Sequence, residues 1–227
     1  MLVSVAPAPP QYRPAMRWKY LPPPTLSPKV LRMLIRTVLF CLLPLVAPAQ
    51  DAVPPIRIQL ENASFEGEPA DATMPAGWHK CDENSTPDIL PGFWGVLQEP
   101  FDGDTFVGLI VRQDGSKESM AQRLPTPMEP KECYRFSVEL AQSKKYVNYN
   151  TPIKLRIWGG PTKCDRAQLI SETPLIDHRE WRNYVFDIIP ESRINYLIIE
   201  AYTDAPGAVM GNVLLDHLSI IVRCPRA

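Results

Sequence analysis

An all-β fold, a two-layer sandwich of antiparallel sheets with about nine strands, is predicted for this 227-residue chain. Three observations carry the prediction. Runs of β-branched, aromatic and alternating residues recur between Pro, Gly, Asn and Asp punctuation. No long stretch spaces its apolar residues as an amphipathic helix would. The clearest runs also alternate with a period of two, which puts successive side chains on opposite sides of a sheet.

Taken in order, the strands are expected near 56–60, 106–112, 119–124, 133–142, 153–159, 167–175, 182–189, 196–203 and 212–222. In the fourth, Tyr134, Phe136, Val138 and Leu140 share one side, while Arg135, Ser137, Glu139 and Ala141 share the other. The first set is therefore core. In the fifth, Ile153, Leu155 and Ile157 point inward and Lys154, Arg156 and Trp158 outward, so its outer side mixes charge with an indole. Residues 68–105 are rich in Pro, Gly and Asp and carry little strand signal. A connection of that length is either functional or packed down by its own side chains, which include Trp78, Phe93 and Trp94.

The chain divides into three expected segments. Residues 1–32 form a Pro-rich leader with five basic and no acidic residues, too polar and broken to build a core, and initiation at Met33 would account for it simply. Residues 33–50 read as a signal peptide: a charged start, a short apolar run and a small-residue cleavage site at Ala47-Pro-Ala49. That run is shorter than a membrane-spanning helix requires, so a secreted, periplasmic or cell-surface protein with no permanent span is expected. Residues 51–227 are then a single domain of ordinary size. Residues 1–50 hold six of the 24 basic residues and none of the 25 acids, which leaves 18 basic against 25 acidic and a domain charge of about −7. A negative domain argues against nucleic acid, whose binding relies on neutralising phosphates.

Cys41 falls in the signal segment, leaving Cys81, Cys133, Cys164 and Cys224. An even count in an exported chain points to two disulfides, with three pairings open. Cys133 opens one expected strand and Cys224 closes the last, so antiparallel neighbours favour Cys133 with Cys224 and Cys81 with Cys164. Free thiols are the other reading.

Asn62-Ala-Ser-Phe-Glu-Gly67, Gly77-Trp78, Thr86-Pro-Asp88, Phe93-Trp-Gly95, Phe101-Asp-Gly-Asp-Thr-Phe-Val-Gly108, Cys133-Tyr-Arg-Phe-Ser137, Leu155-Arg-Ile-Trp-Gly-Gly160 and Gly211 to Asp216 form an ordered series of landmarks. Together they resemble the galactose-binding-like jelly rolls of carbohydrate-binding modules in secreted bacterial glycanases. They are also similar to exported Bacteroidetes surface proteins. The resemblance runs over most of residues 58–221. It implies a structural calcium ion held by Glu66, after the first-strand Phe, and by Asp216 of the last strand, with Asp102 or Asp104 adding oxygens. Calcium favours several hard oxygen ligands, which suits such a set. The other reading has Glu66 capping a turn and Asp216 accepting backbone hydrogen bonds.

The resemblance also implies a carbohydrate or cell-surface glycan as ligand. Sugars are held by an aromatic ring against a pyranose face, with charged or amide side chains on the hydroxyls. Trp158, Arg156, Glu139, Glu200 and Tyr202 are the strand residues suited to this, and Trp94 and Tyr146 could reach from loops. Each Trp has an alternative role in packing, and Trp78 and Trp181 are read as core. The usual catalytic and nucleotide-binding signatures are missing from the sequence. The histidines, His79, His178 and His217, are scattered, and His217 next to Asp216 on a strand should face away from it. The leading expectation is an exported, non-catalytic, calcium-stabilised carbohydrate-binding-like module. A structural or adhesive surface protein is one alternative. A small polysaccharide-active enzyme is another, because two facing carboxylates suffice for glycoside hydrolysis.

Overall fold

The computed structural model describes residues 56–225. The leader and signal-peptide readings lie outside them. Thirteen strands are formed: β1 (Arg57–Ile58), β2 (His79–Lys80), β3 (Asp88–Leu90), β4 (Phe106–Val111), β5 (Ser119–Met128), β6 (Tyr134–Ala141), β7 (Thr151–Pro152), β8 (Lys154–Gly160), β9 (Gln168–Glu172), β10 (Arg182–Ile188), β11 (Ile194–Tyr202), β12 (Gly211–Asp216) and β13 (Ile221–Arg223). No helix is present among them, so no described helix is long and apolar enough to cross a membrane. One sheet has eight strands, in the order β1-β13-β6-β12-β4-β3 with β10 on β6 and β7 on β12; the other has five, in the order β2-β5-β11-β8-β9. All pairings are antiparallel except the two-residue contact of β7 with β12. The molecule is a β-sandwich.

All nine expected strands are found. The last divides into β12 and β13 because His217 takes a left-handed backbone (φ 47°), which ends the pleat after Asp216. The period-two assignments also hold. Tyr134, Phe136, Val138 and Leu140 of β6 and Leu155 and Ile157 of β8, with Ile153 just before it, enter the inter-sheet core. There they meet Leu197, Ile199, Val213 and Leu215.

β4 reads as a continuous apolar run, the mark of a strand buried on both sides. Val107, Leu109 and Val111 face the inter-sheet core. Phe106 and Ile110 face the other way, into a second cluster with Leu90, Val96, Ala141, Tyr146 and Leu214. The long 68–105 segment supplies Leu90 and Val96 to this cluster and is held to the strands at its edges. The indole N–H of Trp181 donates to the carbonyl of Glu99 (2.9 Å), and Val147 N–H donates to the carbonyl of Trp94 (2.9 Å). The later part of the segment, past Leu90, is thus packed down as a lid over the eight-stranded sheet, while His79–Lys80 and Cys81 belong to the five-stranded side.

Cys133 is joined to Cys224, and Cys81 to Cys164. The first follows from register: Tyr134 and Arg223 are partners across β6 and β13, so the next residue on each strand lies opposite, and Cys224 N–H donates to the Cys133 carbonyl (2.9 Å).

Candidate functional site

The outer side of the five-stranded sheet is a lattice set by strand register. Arg123 of β5, Tyr196 of β11 and Gly160 of β8 form one row. Ala121, Ile198 and Trp158 form the next, and Ser119, Glu200 and Arg156 the third; Tyr202 and Lys154 end the series. Ile198 and Ala121 face outward yet are fully buried, so this sheet is covered as well. The cover is the 161–167 strap, pinned by Cys164 to Cys81. It lies so close that a Cβ on Gly160 would sit 1.8 Å from the carbonyl oxygen of Asp165, which is why Gly occupies that row.

Glu200 is the centre of the covered surface. Its side chain is 1% exposed and is met by the indole N–H of Trp158 (2.9 Å), the ammonium of Lys117 (3.1 Å) and the guanidinium of Arg166 (3.2 Å). A buried carboxylate is tolerated only with such partners. Arg166 reaches on to Asp82 (2.7 Å) and the Ser119 hydroxyl (2.9 Å), and that hydroxyl donates to Asp82 (2.5 Å). Burial works to raise the Asp82 pKa, but the hydrogen bonds from Ser119 and Arg166 and the Arg166 charge outweigh it and hold the group below the usual carboxylate range. The Arg156 guanidinium lies 3.2 Å from the Tyr202 ring centroid and pairs with Glu172 (2.7 Å), which also takes Lys154 (2.9 Å). Asp82, Glu83, Asn84, Ser116, Lys117, Arg166 and Glu200 line an open cleft of about 440 Å³.

Four of the seven expected ligand residues, Trp158, Arg156, Glu200 and Tyr202, are therefore brought together. The other three are not. Glu139 is outward-facing as its period requires, but on β6 of the other sheet, where it is buried and accepts from Asn183 (2.7 Å). Tyr146 is 1% exposed, packs in the second apolar cluster and donates its hydroxyl to buried Asp88. Trp94 is on the lid, 45% exposed, with its indole N–H on Asp71 (3.0 Å). Trp78 is core, as expected, and Trp181 packs against the second cluster. Lys117 and Arg166 were not anticipated. Lys117 sits just ahead of β5 and Arg166 two residues past Cys164, and neither position carries a strand period that would aim it.

At the sandwich end, Glu66 and Asp216 meet through the 101–105 loop. Glu66 Oε2 accepts the backbone N–H groups of Asp104 (3.0 Å) and Thr105 (3.2 Å). Asp216 Oδ2 accepts those of Phe101 (2.8 Å) and Asp102 (3.0 Å), and its Oδ1 that of His217 (2.7 Å). Burial pushes the Asp216 carboxyl up to about 6 against these hydrogen bonds, and the Glu66 charge adds to the rise. The His217 ring faces Asp102 (3.3 Å), the residue whose amide binds Asp216. Asp102 also accepts the Ser64 hydroxyl (2.6 Å), and hydrogen bonds from Ser64 and His217 hold it below the usual carboxylate range. Among the described residues no three Asp, Glu, His or Cys side chains form a metal-ligating group. Glu66 Oε1 is nevertheless buried without a partner, and it lies where a Cβ on Gly103 (φ 69°) would come within 2.0 Å.

No known family profile matches the chain, and no curated protein matches it. Solved structures do. One is a Stig cyclase from Fischerella sp. TAU, bound to an indole derivative, at 12% identity and a TM-score of 0.50, covering 76% of this chain and 100% of that one. Another is an arabinose-bound α-L-arabinofuranosidase, at 10% identity and a TM-score of 0.50, covering 74% and 26%. A third is the carbohydrate-binding and catalytic modules of a Clostridium thermocellum endo-1,4-β-D-xylanase with xylohexaose, at 12% identity and a TM-score of 0.46, covering 76% and 29%. The first two likenesses, each at a TM-score of 0.50, bear on the fold alone.

Proposed function

We propose that this is a non-catalytic carbohydrate-binding-like module that acts outside the cytoplasm and holds a glycan against the outer side of its five-stranded sheet. The observation that carries the reading is the convergence of Trp158, Arg156, Glu200 and Tyr202 with Lys117 and Arg166 in and beside one open cleft. Acceptors and charged donors fixed by one another suit the vicinal hydroxyls of a sugar, because little ordering remains to be done on binding. The aromatic rings alongside provide apolar surface for a pyranose face. Both disulfides favour an oxidising compartment.

The non-catalytic reading follows the sequence, where the usual catalytic signatures are missing. For calcium, the supporting observations are the unpartnered Glu66 Oε1 and the like-charge pressure between Glu66 and Asp216. A calcium ion there would be held by Glu66 and Asp216, with Asp102 or Asp104 and backbone carbonyls adding oxygens. It would neutralise the two carboxylates and tie the chain's two ends together.

The experiment is a calorimetric titration of the purified protein across a broad polysaccharide panel, with calcium and after chelation. Binding by at least one glycan, weakened tenfold or more in Glu200→Gln while the melting temperature of that variant stays within a few degrees, is the expected result. Calcium should raise the melting temperature of the native protein and leave Glu66→Ala unchanged. Absence of affinity across the panel defeats the glycan assignment; a melting curve indifferent to chelator defeats the calcium assignment.

A further inference from the structure

The strap divides the outer side of the five-stranded sheet into two clefts, and their charges differ. In the first, Lys117 and Arg166 are paired with Glu200 and Asp82, and Glu83 stands beside them. The second opens at the other end of the same lattice, about 13 Å along β11 at roughly 3.3 Å per residue from Glu200 to Tyr196. Its volume is about 580 Å³, and Arg123, Lys163 and Arg193 line it together with Tyr196. No acidic side chain lines it. Arg123 and Lys163 form no ion pair among the described residues, and the nearest carboxylate to Arg193 is Glu129 at 3.7 Å, with both side chains at least half exposed. An exposed pair at that distance neutralises little.

Three cations around one cleft repel one another, and they do so on a domain whose overall charge is about −7. The backbone at each is fixed by structure around it. Arg123 is fixed opposite Tyr196 by the β5–β11 register. Lys163 neighbours the disulfide at Cys164, and the strap beside it is tied to β11 by the Asn195 amide donating to the Pro161 carbonyl (2.8 Å). Arg193 immediately precedes β11. An anion in this cleft would face all three charges, and Tyr196 in the same lining offers a ring as a platform for a sugar.

We propose that this second cleft binds the anionic substituent of an acidic polysaccharide, a uronate carboxylate or a sulfate ester. The proposal rests on the glycan-binding reading above and narrows it to charged glycans. Tyr196 in the lining favours a sugar as the carrier of the anion, and nucleic acid and an acidic polypeptide enter the test as controls.

The test compares matched ligands by calorimetry on the purified protein: a polygalacturonate oligomer, its methyl-esterified neutral form and a sulfated galactan oligomer, with polyglutamate and a single-stranded oligonucleotide as controls. A Lys163→Glu, Arg193→Glu double variant and Glu200→Gln are run alongside. These cations are exposed, so the double variant should melt as the native protein does. The expected result is that at least one acidic oligomer binds roughly tenfold or more tighter than the neutral ester. That preference should shrink as salt rises to a Debye length of about 3 Å near 1 M, and it should vanish in the double variant. Uronate alone or sulfate alone binding in this way supports the proposal and names the anion. A neutral ester that binds equally well, or a double variant that keeps the preference, overturns the proposal and leaves the glycan-binding module standing. Polyglutamate or oligonucleotide binding as tightly as the acidic sugar overturns it too. A panel in which no sugar binds removes both.

Discussion

On the eight-stranded sheet the apolar outward residues of β3, β4 and β12 are Leu90, Phe106, Ile110 and Leu214, sealed under a lid that contributes Val96 and abutted by Tyr146. On the five-stranded sheet the corresponding positions are Ser119, Ala121 and Arg123 on β5 and Tyr196, Ile198, Glu200 and Tyr202 on β11, crossed by a strap held with a disulfide. The first side is closed by apolar contact and becomes a second core. The second is covered through ion pairs and a covalent tie, which leaves clefts at both ends of the strap. On the proposed reading, this difference lets one sheet take the ligand while the other contributes stability.

Substitutions should separate the two sides. Tyr146→Ala removes a buried ring from the sealed side and leaves Asp88 without its hydroxyl partner, and is expected to cost about 3–5 kcal/mol in urea unfolding. Replacing Cys81 and Cys164 by Ser on the other side should cost less, roughly 2–4 kcal/mol, and should also weaken glycan binding, because Lys163 and Arg166 lose their anchor. The contrast fails if the disulfide variant keeps full affinity.

The two sides should also differ in their response to pH. On the sealed side, burial pushes the Asp88 carboxyl up to about 6 despite the Tyr146 hydrogen bond. The folded protein then binds more protons than the unfolded chain between about pH 4 and 6, so this group's contribution is complete below that window and is lost as pH rises through it. Asp82 on the clefted side is shifted the other way, so its contribution is present above the ordinary carboxylate range and lost as pH falls through its lowered value. Urea midpoints from pH 3 to 7 for the native protein and Asp88→Asn test this. Their difference should change by an amount on the order of 2 kcal/mol between pH 4 and 7. A constant difference would contradict it.

The strand framework was legible because alternation is a local property: Tyr134 to Leu140 and Leu155 to Trp158 each announce their inward set. The pairing of Cys133 with Cys224 was legible for the same reason, since both cysteines flank strands. The two- and three-residue strands β2, β3 and β7 are too short to show a period, and they went unread. In the site, alternation turned Glu139, Arg156 and Trp158 outward, but it cannot say which sheet a strand joins, so Glu139 was grouped with residues on the opposite side of the sandwich. Lys117 sits in an isolated bridge to Val111 and Arg166 in the strap, where only long-range contacts aim a side chain. Tyr146 lies in a loop for the same reason, and its aromatic ring fitted packing and binding equally well.

Trp158 offers the most direct test, because its indole N–H is bound to Glu200 inside the clefted side while Trp94 and Trp181 place theirs on Asp71 and Glu99 at the sealed side. Indole N–H resonances recorded by nuclear magnetic resonance during titration with a bound oligosaccharide should show the Trp158 signal moving with saturation and the other two holding still. Movement confined to Trp94 or Trp181, with Trp158 unchanged, would place the ligand on the wrong sheet.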